Sequence, residues 1–373
     1  QSVVLTILLC AIIICAFLTI SYFVDKANIT DLDFTKDKIY SISQATKDKL
    51  ENLDQKITIT TYNMYEYVED FANKYATLND NITVEKLENL TSKQEWKTEY
   101  GLTDTSSFVA VETESKIKIL QDSDLYTYDY STHEQIDITE EAITNAILDV
   151  TTNIKPKICI LTGHNLYNDG YFQYLESSLE SEVNQVEYLN LLTAGSIPKD
   201  CKVLVITALK NDIDKKEKDE ILKYINNGGE ILLLMDPNLG KIKTPNFQKI
   251  LDVYGVKNSE GFIMEANSSK MVSGAPSYII ASINTSSELV KDINMGLNVC
   301  MMTAGKLTFE STDELAKKNV TLETLATVSD KAFYRTDLTS SSQTKISSDE
   351  SASGATVAAM LTKTISEDKI SKL

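Results

Sequence analysis

Residues 214–237 read DKKEKDEILKYINNGGEILLLMDP. Ile221, Leu222 and Ile225 share one face of an otherwise charged run, so 214–226 is predicted to be a helix with a solvated outer face. Gly228 and Gly229 supply the left-handed backbone of a helix C-terminus. The next residues, 230–235 (EILLLM), form a continuous apolar strand that stops at the turn Asp236-Pro237. The same alternation extends upstream: KICIL at 157–161 and the runs 186–191 and 203–207 read as strands, and 171–179 as a helix. Continuous apolar strands separated by helices predict an α/β domain, doubly wound around a mostly parallel sheet covered on both faces.

Working outward, the region 25–135 reads as a smaller α/β domain. Ser41 and Gln44 have capping-box spacing, which predicts a helix running to Leu53. Residues 56–65 alternate and are β-branched, hence a strand. Tyr67, Val68, Phe71, Ala72 and Tyr75 make one apolar helix face. Residues 81–87 read as the next strand, and 108–112 with 116–120 as a hairpin. Asp137 and Glu140 repeat the capping-box spacing ahead of a helix lined by Ala142, Ile143, Ala146, Ile147 and Val150. The large domain is predicted to span 136–373, with an irregular region at 256–354 where Ser, Thr and Asn are frequent. Within it 336–353 is expected to be a surface loop, and 355–364 a last strand or helix.

From Gln1 to Val24 there is no charged residue. A spanning helix needs about 20 apolar residues, so 1–24 is predicted to be a transmembrane anchor. The alternative, a cleaved signal peptide, has an apolar region of only about 7–15 residues and a small-residue cleavage site; Thr19 and Ser21 supply a poor one. Long domains translocate largely regardless of charge, which allows an extracytoplasmic location for the rest of the chain.

The 373 residues are 42% hydrophobic with 13 Gly and 5 Pro, which excludes collagen-like, mucin-like and wholly disordered classes. A net charge of -18 repels nucleic acid, so DNA and RNA are excluded as partners. Arg335 is the only arginine, so bidentate phosphate clamps are nearly unavailable. Cys10 and Cys15 fall in the anchor, Cys159 and Cys201 in strands, and Cys300 stands alone. With no CxxC, neither a thiol redox centre nor a disulfide framework is indicated.

Candidate binding residues sit at strand ends. Gly163, His164 and Asn165 follow the strand 157–161, where ligands bind in doubly wound sheets. Glycine permits close backbone approach, and histidine can bind a ligand or move protons. Asp236 and Asn238 follow 230–235 on the same sheet edge. The plainer alternative at both places is a turn whose side chains cap the next segment. His164 and Asp236 could be two members of a hydrolytic triad, but no G-x-S-x-G elbow supplies a nucleophile. No catalytic set, no metal-ligand cluster and no dinucleotide fingerprint is found, so no cofactor is expected. Tyr62, Tyr65 and Tyr67, and Tyr126, Tyr128 and Tyr130, are partly core and partly available for protein or sugar contacts. The charge run 214–220 reads as a solvated helix face.

The order of these features resembles a known family. An anchor precedes Asp31-Leu32-Asp33-Phe34-Thr35 and Tyr40-Ser41-Ile42-Ser43. Then come Gly163-His164, Ile197-Pro198, CKVLVITA at 201–208, the acidic helix, and Gly228-Gly229-Glu230 leading to Asp236-Pro237. This resembles the GldG-like auxiliary subunits of bacterial ABC transport systems. The resemblance implies a thioredoxin-like first domain without redox cysteines and a second domain like the glutamine-amidotransferase sheet without a nucleophile. It implies a non-enzymatic extracytoplasmic accessory subunit tethered to membrane lipid by its N-terminal helix, beside an ABC permease and a separate cytoplasmic ATPase. Family members commonly continue into a strand and a second membrane helix, which implies that this chain is shortened. The alternatives are a degenerate hydrolase or glycan- or peptide-binding surface protein using His164 and Asp236, and a spacer that uses its tyrosines for protein contacts.

Overall fold

The computed structural model describes residues 41–129, 133–164, 169–237, 242–257, 261–294, 298–337, 340 and 342–373. The predicted anchor 1–24 lies outside them. Among the described residues no helix is long and apolar enough to cross a membrane. The chain divides into two units, 1–154 and 155–373.

The first unit contains α1 (Gln44–Leu50), β1 (Ile57–Tyr62), α2 (Glu66–Tyr75), β2 (Ile82–Lys86), α3 (Gln94–Glu99), β3 (Phe108–Glu112), β4 (Ile117–Gln121), β5 (Tyr126–Asp129), β6 (Glu134–Asp137) and α4 (Thr139–Thr151). Its main sheet has the order β2-β1-β3-β4, with β1 and β2 parallel and the other pairs antiparallel. One face buries Ile57, Ile59, Val109 and Val111 against Val68 and Phe71 of α2 and Ile143 and Ile147 of α4. The opposite face holds Tyr62, Phe108 and Trp96. Helix α4, expected in the second domain, is thus part of the first core.

Both expected capping boxes turn out differently. Ser43, not Ser41, caps α1 by accepting from the Thr46 amide. The carboxylate that would complete the box comes from far away, since the Ser43 amide donates to Glu140 Oε1 at 2.9 Å. Glu140 is therefore spent on α1, and Asp137 serves its own chain by accepting from the Thr139 amide at 2.8 Å.

The second unit begins with β7 (Lys157–Leu161), α5 (Gln173–Ser181), β8 (Gln185–Leu189), α6 (Leu191–Ala194), β9 (Cys201–Thr207), α7 (Lys215–Asn226), β10 (Glu230–Leu234) and α8 (Pro245–Tyr254). The four strands form a parallel sheet in the order β10-β9-β7-β8. On one face Cys159, Leu161, Leu204, Ile206 and Ile231 pack against Ile221 and Ile225 of α7 and Ile250 and Leu251 of α8. On the other, Ile158, Ile160 and Val205 meet Leu175 and Leu179 of α5. Cover on both faces does not extend to β10. Helix α5 connects β7 to β8 and lies over that half of the sheet. Leu232 and Leu234 of the outer strand β10 keep 40% and 41% of their surface exposed.

The region expected to be irregular, 256–354, carries short antiparallel strands separated by longer stretches outside them. It holds β11 (Val256–Lys257), β12 (Phe262–Met264), β13 (Tyr278–Ile283), β14 (Val299–Met302), β15 (Thr308–Phe309), α9 (Thr312–Lys317), β16 (Val320–Thr327), β17 (Phe333–Arg335) and β18 (Glu350–Ser351). The strands β19 (Thr356–Ser366) and β20 (Lys369–Lys372) come after it. The order β14-β13-β16-β19-β20 makes a five-stranded sheet, and β12-β17-β18 a three-stranded one. Strand β20 returns beside β10, where Lys372 pairs with Glu230 at 3.5 Å.

The segment after β17 is held by one buried ion pair. Arg335 is 1% exposed and is bidentate to Asp349, with Nε at 3.0 Å and Nη2 at 2.6 Å. The guanidinium also donates to the carbonyls of Ser342 and Thr344. Its hydrogen bonds hold the Asp349 carboxyl below the ordinary carboxylate range. Asp349→Ala strands a buried cation and should cost about 3–5 kcal/mol in urea unfolding. The pair's contribution is present above about pH 4, the unfolded value, and is lost as pH falls through the lower native value. Asp349→Asn should flatten that part of the acid limb.

Candidate functional site

The carboxyl ends of the parallel strands carry the predicted loop residues. Gly163 has φ +100, a conformation that side chains rarely adopt, and a Cβ there would lie 3.3 Å from Asn190 Nδ2. Asn190 caps α6 through the Leu192 amide. Glycine at 163 is therefore explained by the turn and the close approach of Asn190. Asn165 and Asn238 lie outside the described residues.

His164 does not point to open solvent. It is 6% exposed, its carbonyl accepts from the Lys210 amide, and its Nε2 lies 2.8 Å from Glu217 Oε2. Glu217 is 2% exposed and stands at the third position of α7. There it completes a reciprocal cap: Oε2 accepts from the Asp214 amide at 2.8 Å, and Asp214 Oδ1 accepts from the Glu217 amide at 2.8 Å. One carboxylate oxygen thus joins the histidine loop to the start of the helix. His164 Nδ1 and Glu217 Oε1 are buried with no hydrogen-bond partner. The expectation that 214–220 is wholly solvated is corrected at Glu217. The signal was in the sequence, since Asp214 and Glu217 have capping-box spacing.

Asp236 is exposed and lines a different feature, a cavity of 560 Å³ in the second unit. Neither ring nitrogen of His164 bonds to it. The two residues chosen from the sequence therefore do not form a pair. The cavity's walls come from the open face of β10, from β14 and the loop after it, and from β16 and β19. Gly305 and Pro237 both line it, and a Cβ at 305 would lie 3.4 Å from Pro237 Cα. Thr207, at the end of β9, contributes a hydroxyl that is buried and has no hydrogen-bond partner.

The remaining candidates are quiet. Cys159 and Cys201 are buried on adjacent strands, and the neighbouring Cys201 thiol, with burial, pushes Cys159 up. A buried neutral thiol is unreactive. Cys300 is exposed. Tyr62 is core, whereas Tyr65 and Tyr67 are exposed and stacked with centroids 6.2 Å apart. Tyr128 is exposed beside His133, Tyr126 is partly buried, and Tyr130 lies outside the described residues. Among the described residues no group of three His, Cys, Asp or Glu side chains could hold a metal ion.

Residues 155–368, nearly all of the second unit, match the auxiliary-component family described as an ABC-type uncharacterized transport system. The chain belongs to this family. Membership makes it an accessory component that works with the other parts of an ABC transporter. No curated protein matches the chain. Among solved structures, it is similar to the mmIFT52 N-terminal domain at 13% identity, over 47% of this chain and 74% of that one, with a TM-score of 0.36. It is also similar to the NTD_N/C domain of alkylhydroperoxide reductase AhpF from Enterococcus faecalis. That match has 11% identity over 43% of this chain and 82% of that one, and a TM-score of 0.22. Likeness at these scores carries no argument about the auxiliary component.

The His164–Glu217–Asp214 knot is the testable element here. Glu217→Ala leaves the Asp214 amide and the imidazole without their acceptor, and should lower unfolding free energy by about 1–3 kcal/mol. Glu217→Gln keeps one acceptor oxygen and should lose less. Urea unfolding followed by circular dichroism measures both.

Proposed function

We propose that the chain is the membrane-anchored, extracytoplasmic accessory subunit of a bacterial ABC transporter of the GldG-like kind. In this role it couples binding events at the outer face to a permease and a separate cytoplasmic ATPase. The observation that carries this reading is the family match across the second unit. The uncharged run 1–24 supports the lipid anchor.

The finer fold assignments belong to the same reading. The mixed order β2-β1-β3-β4 supports a thioredoxin-like first unit, which lacks any CxxC. The parallel order β10-β9-β7-β8 supports an amidotransferase-like sheet in the second. The role is non-enzymatic, and ligand contact is assigned to Gly163, His164 and Asp236, together with Asn165 and Asn238. The hydrolytic alternative gains no support, because His164 spends Nε2 on Glu217.

Extraction of native membranes with mild detergent should recover the chain together with an ABC permease and its ATPase. Recovery of the chain free of both, under conditions that keep other ABC complexes intact, contradicts the proposal. Placement has its own readout, since Cys300 is exposed while Cys159 and Cys201 are buried. A membrane-impermeant maleimide applied to intact cells stripped of outer layers should modify Cys300, and Cys300→Ser should remove that adduct. Modification only after lysis places the second unit in the cytoplasm.

A further inference from the structure

The cavity beside β10 has the composition of a site for one kind of small molecule. Its 560 Å³ falls within the usual range for ligand pockets, about 300–1,000 Å³. The walls include Leu232 and Leu234 of β10, Met301 and Met302 of β14, Leu325 of β16 and Leu361 of β19. The two β10 leucines are the exposed pair that α5 leaves uncovered. Covering them with an apolar group is favourable in proportion to the area removed from water. Methionine side chains are unbranched and polarizable, so they adapt to a flexible chain better than to a rigid ring.

Two polar features qualify this apolar surface. Thr207, 3% exposed, lines the cavity with a hydroxyl that has no hydrogen-bond partner. A buried donor of this kind is ordinarily satisfied, and an oxygen of a bound molecule would satisfy it. Lys257 and Lys306 also line the cavity, as do the carboxylate of Asp236 and the terminal residue Leu373. Lys306 Nζ lies 5.6 Å from the Tyr334 ring centroid, and Lys257 makes no ion pair among the described residues. On a chain of net charge -18, two lysines at one cavity are a local concentration of positive charge. It favours an anionic group entering from solvent.

We propose that this cavity binds an amphiphile with one flexible alkyl chain and a carboxylate head, the chemistry of a free fatty acid. The alkyl chain lies along the open face of β10 against the methionines, and the carboxylate takes the lysine ammonium groups and a proton donor from the wall. The cavity lies wholly within the second unit, so the proposal does not rest on the transporter reading and survives or fails separately from it.

The test uses the full chain in phosphatidylcholine nanodiscs, with a diazirine-bearing dodecanoic acid as the probe. After irradiation, peptide mapping should find adducts on the peptides carrying 232–235 or 301–302. Excess dodecanoate should suppress them about tenfold, and dodecanol, which has the same chain and no charge, clearly less. Leu234→Glu changes an exposed side chain, so it should fold and lose these adducts. Ala359→Trp, which fills the cavity, should do the same. The double change Lys257→Gln with Lys306→Gln should keep the adducts but abolish the preference for the acid over the alcohol. Adducts that persist in both cavity variants, adducts confined to 1–24, or equal competition by dodecanol in the unmodified chain overturn the proposal.

Discussion

A parallel sheet buries its strands only where helices cover both faces, and in this chain the cover stops short of β10. Helices α7 and α8 complete one face of the sheet, while on the other α5 packs with residues of β8, β7 and β9 and with none of β10. Leu232 and Leu234 are consequently left to the antiparallel sheets later in the chain. The cleft exists because two kinds of sheet meet there without filling the space between them. The region matched by the auxiliary family spans both parts, so the cleft is built from the same stretch of chain that places the protein beside a transporter.

Charge is handled by burial in specific pairs. The single arginine is committed to Asp349 and two carbonyls, so it holds the chain after β17 and offers nothing to a phosphate. Glu217 is committed to the Asp214 amide and His164. These groups look like surface or catalytic candidates in a sequence, but each is consumed by the fold.

Much of the parallel sheet was legible in the sequence because its strands are continuous apolar runs of fixed length with helices between them. KICIL, the run at 203–207 and EILLLM became β7, β9 and β10 within a few residues. Less legible was anything decided by distant contacts. The cap of α1 takes its second partner from Glu140, 97 residues away, which no local spacing can show. Most antiparallel strands of 256–354 are only two to six residues long, too short for an alternation to show. The exposure of β10 depends on which strands α5 connects, a topological fact invisible in EILLLM itself. Gly163 and Asp236 follow the ends of β7 and β10. The burial of His164 against Glu217, 53 residues further along the chain, is again a distant contact that no local spacing shows.

The decisive property is that this chain is a working accessory of an ABC transporter. Its most direct measurement is ATP turnover by the partner permease–ATPase complex in proteoliposomes, with and without the full chain. The account predicts that adding the chain changes the turnover rate, and that the chain alone hydrolyses no ATP. Identical rates in its presence and absence, with incorporation verified, would contradict it.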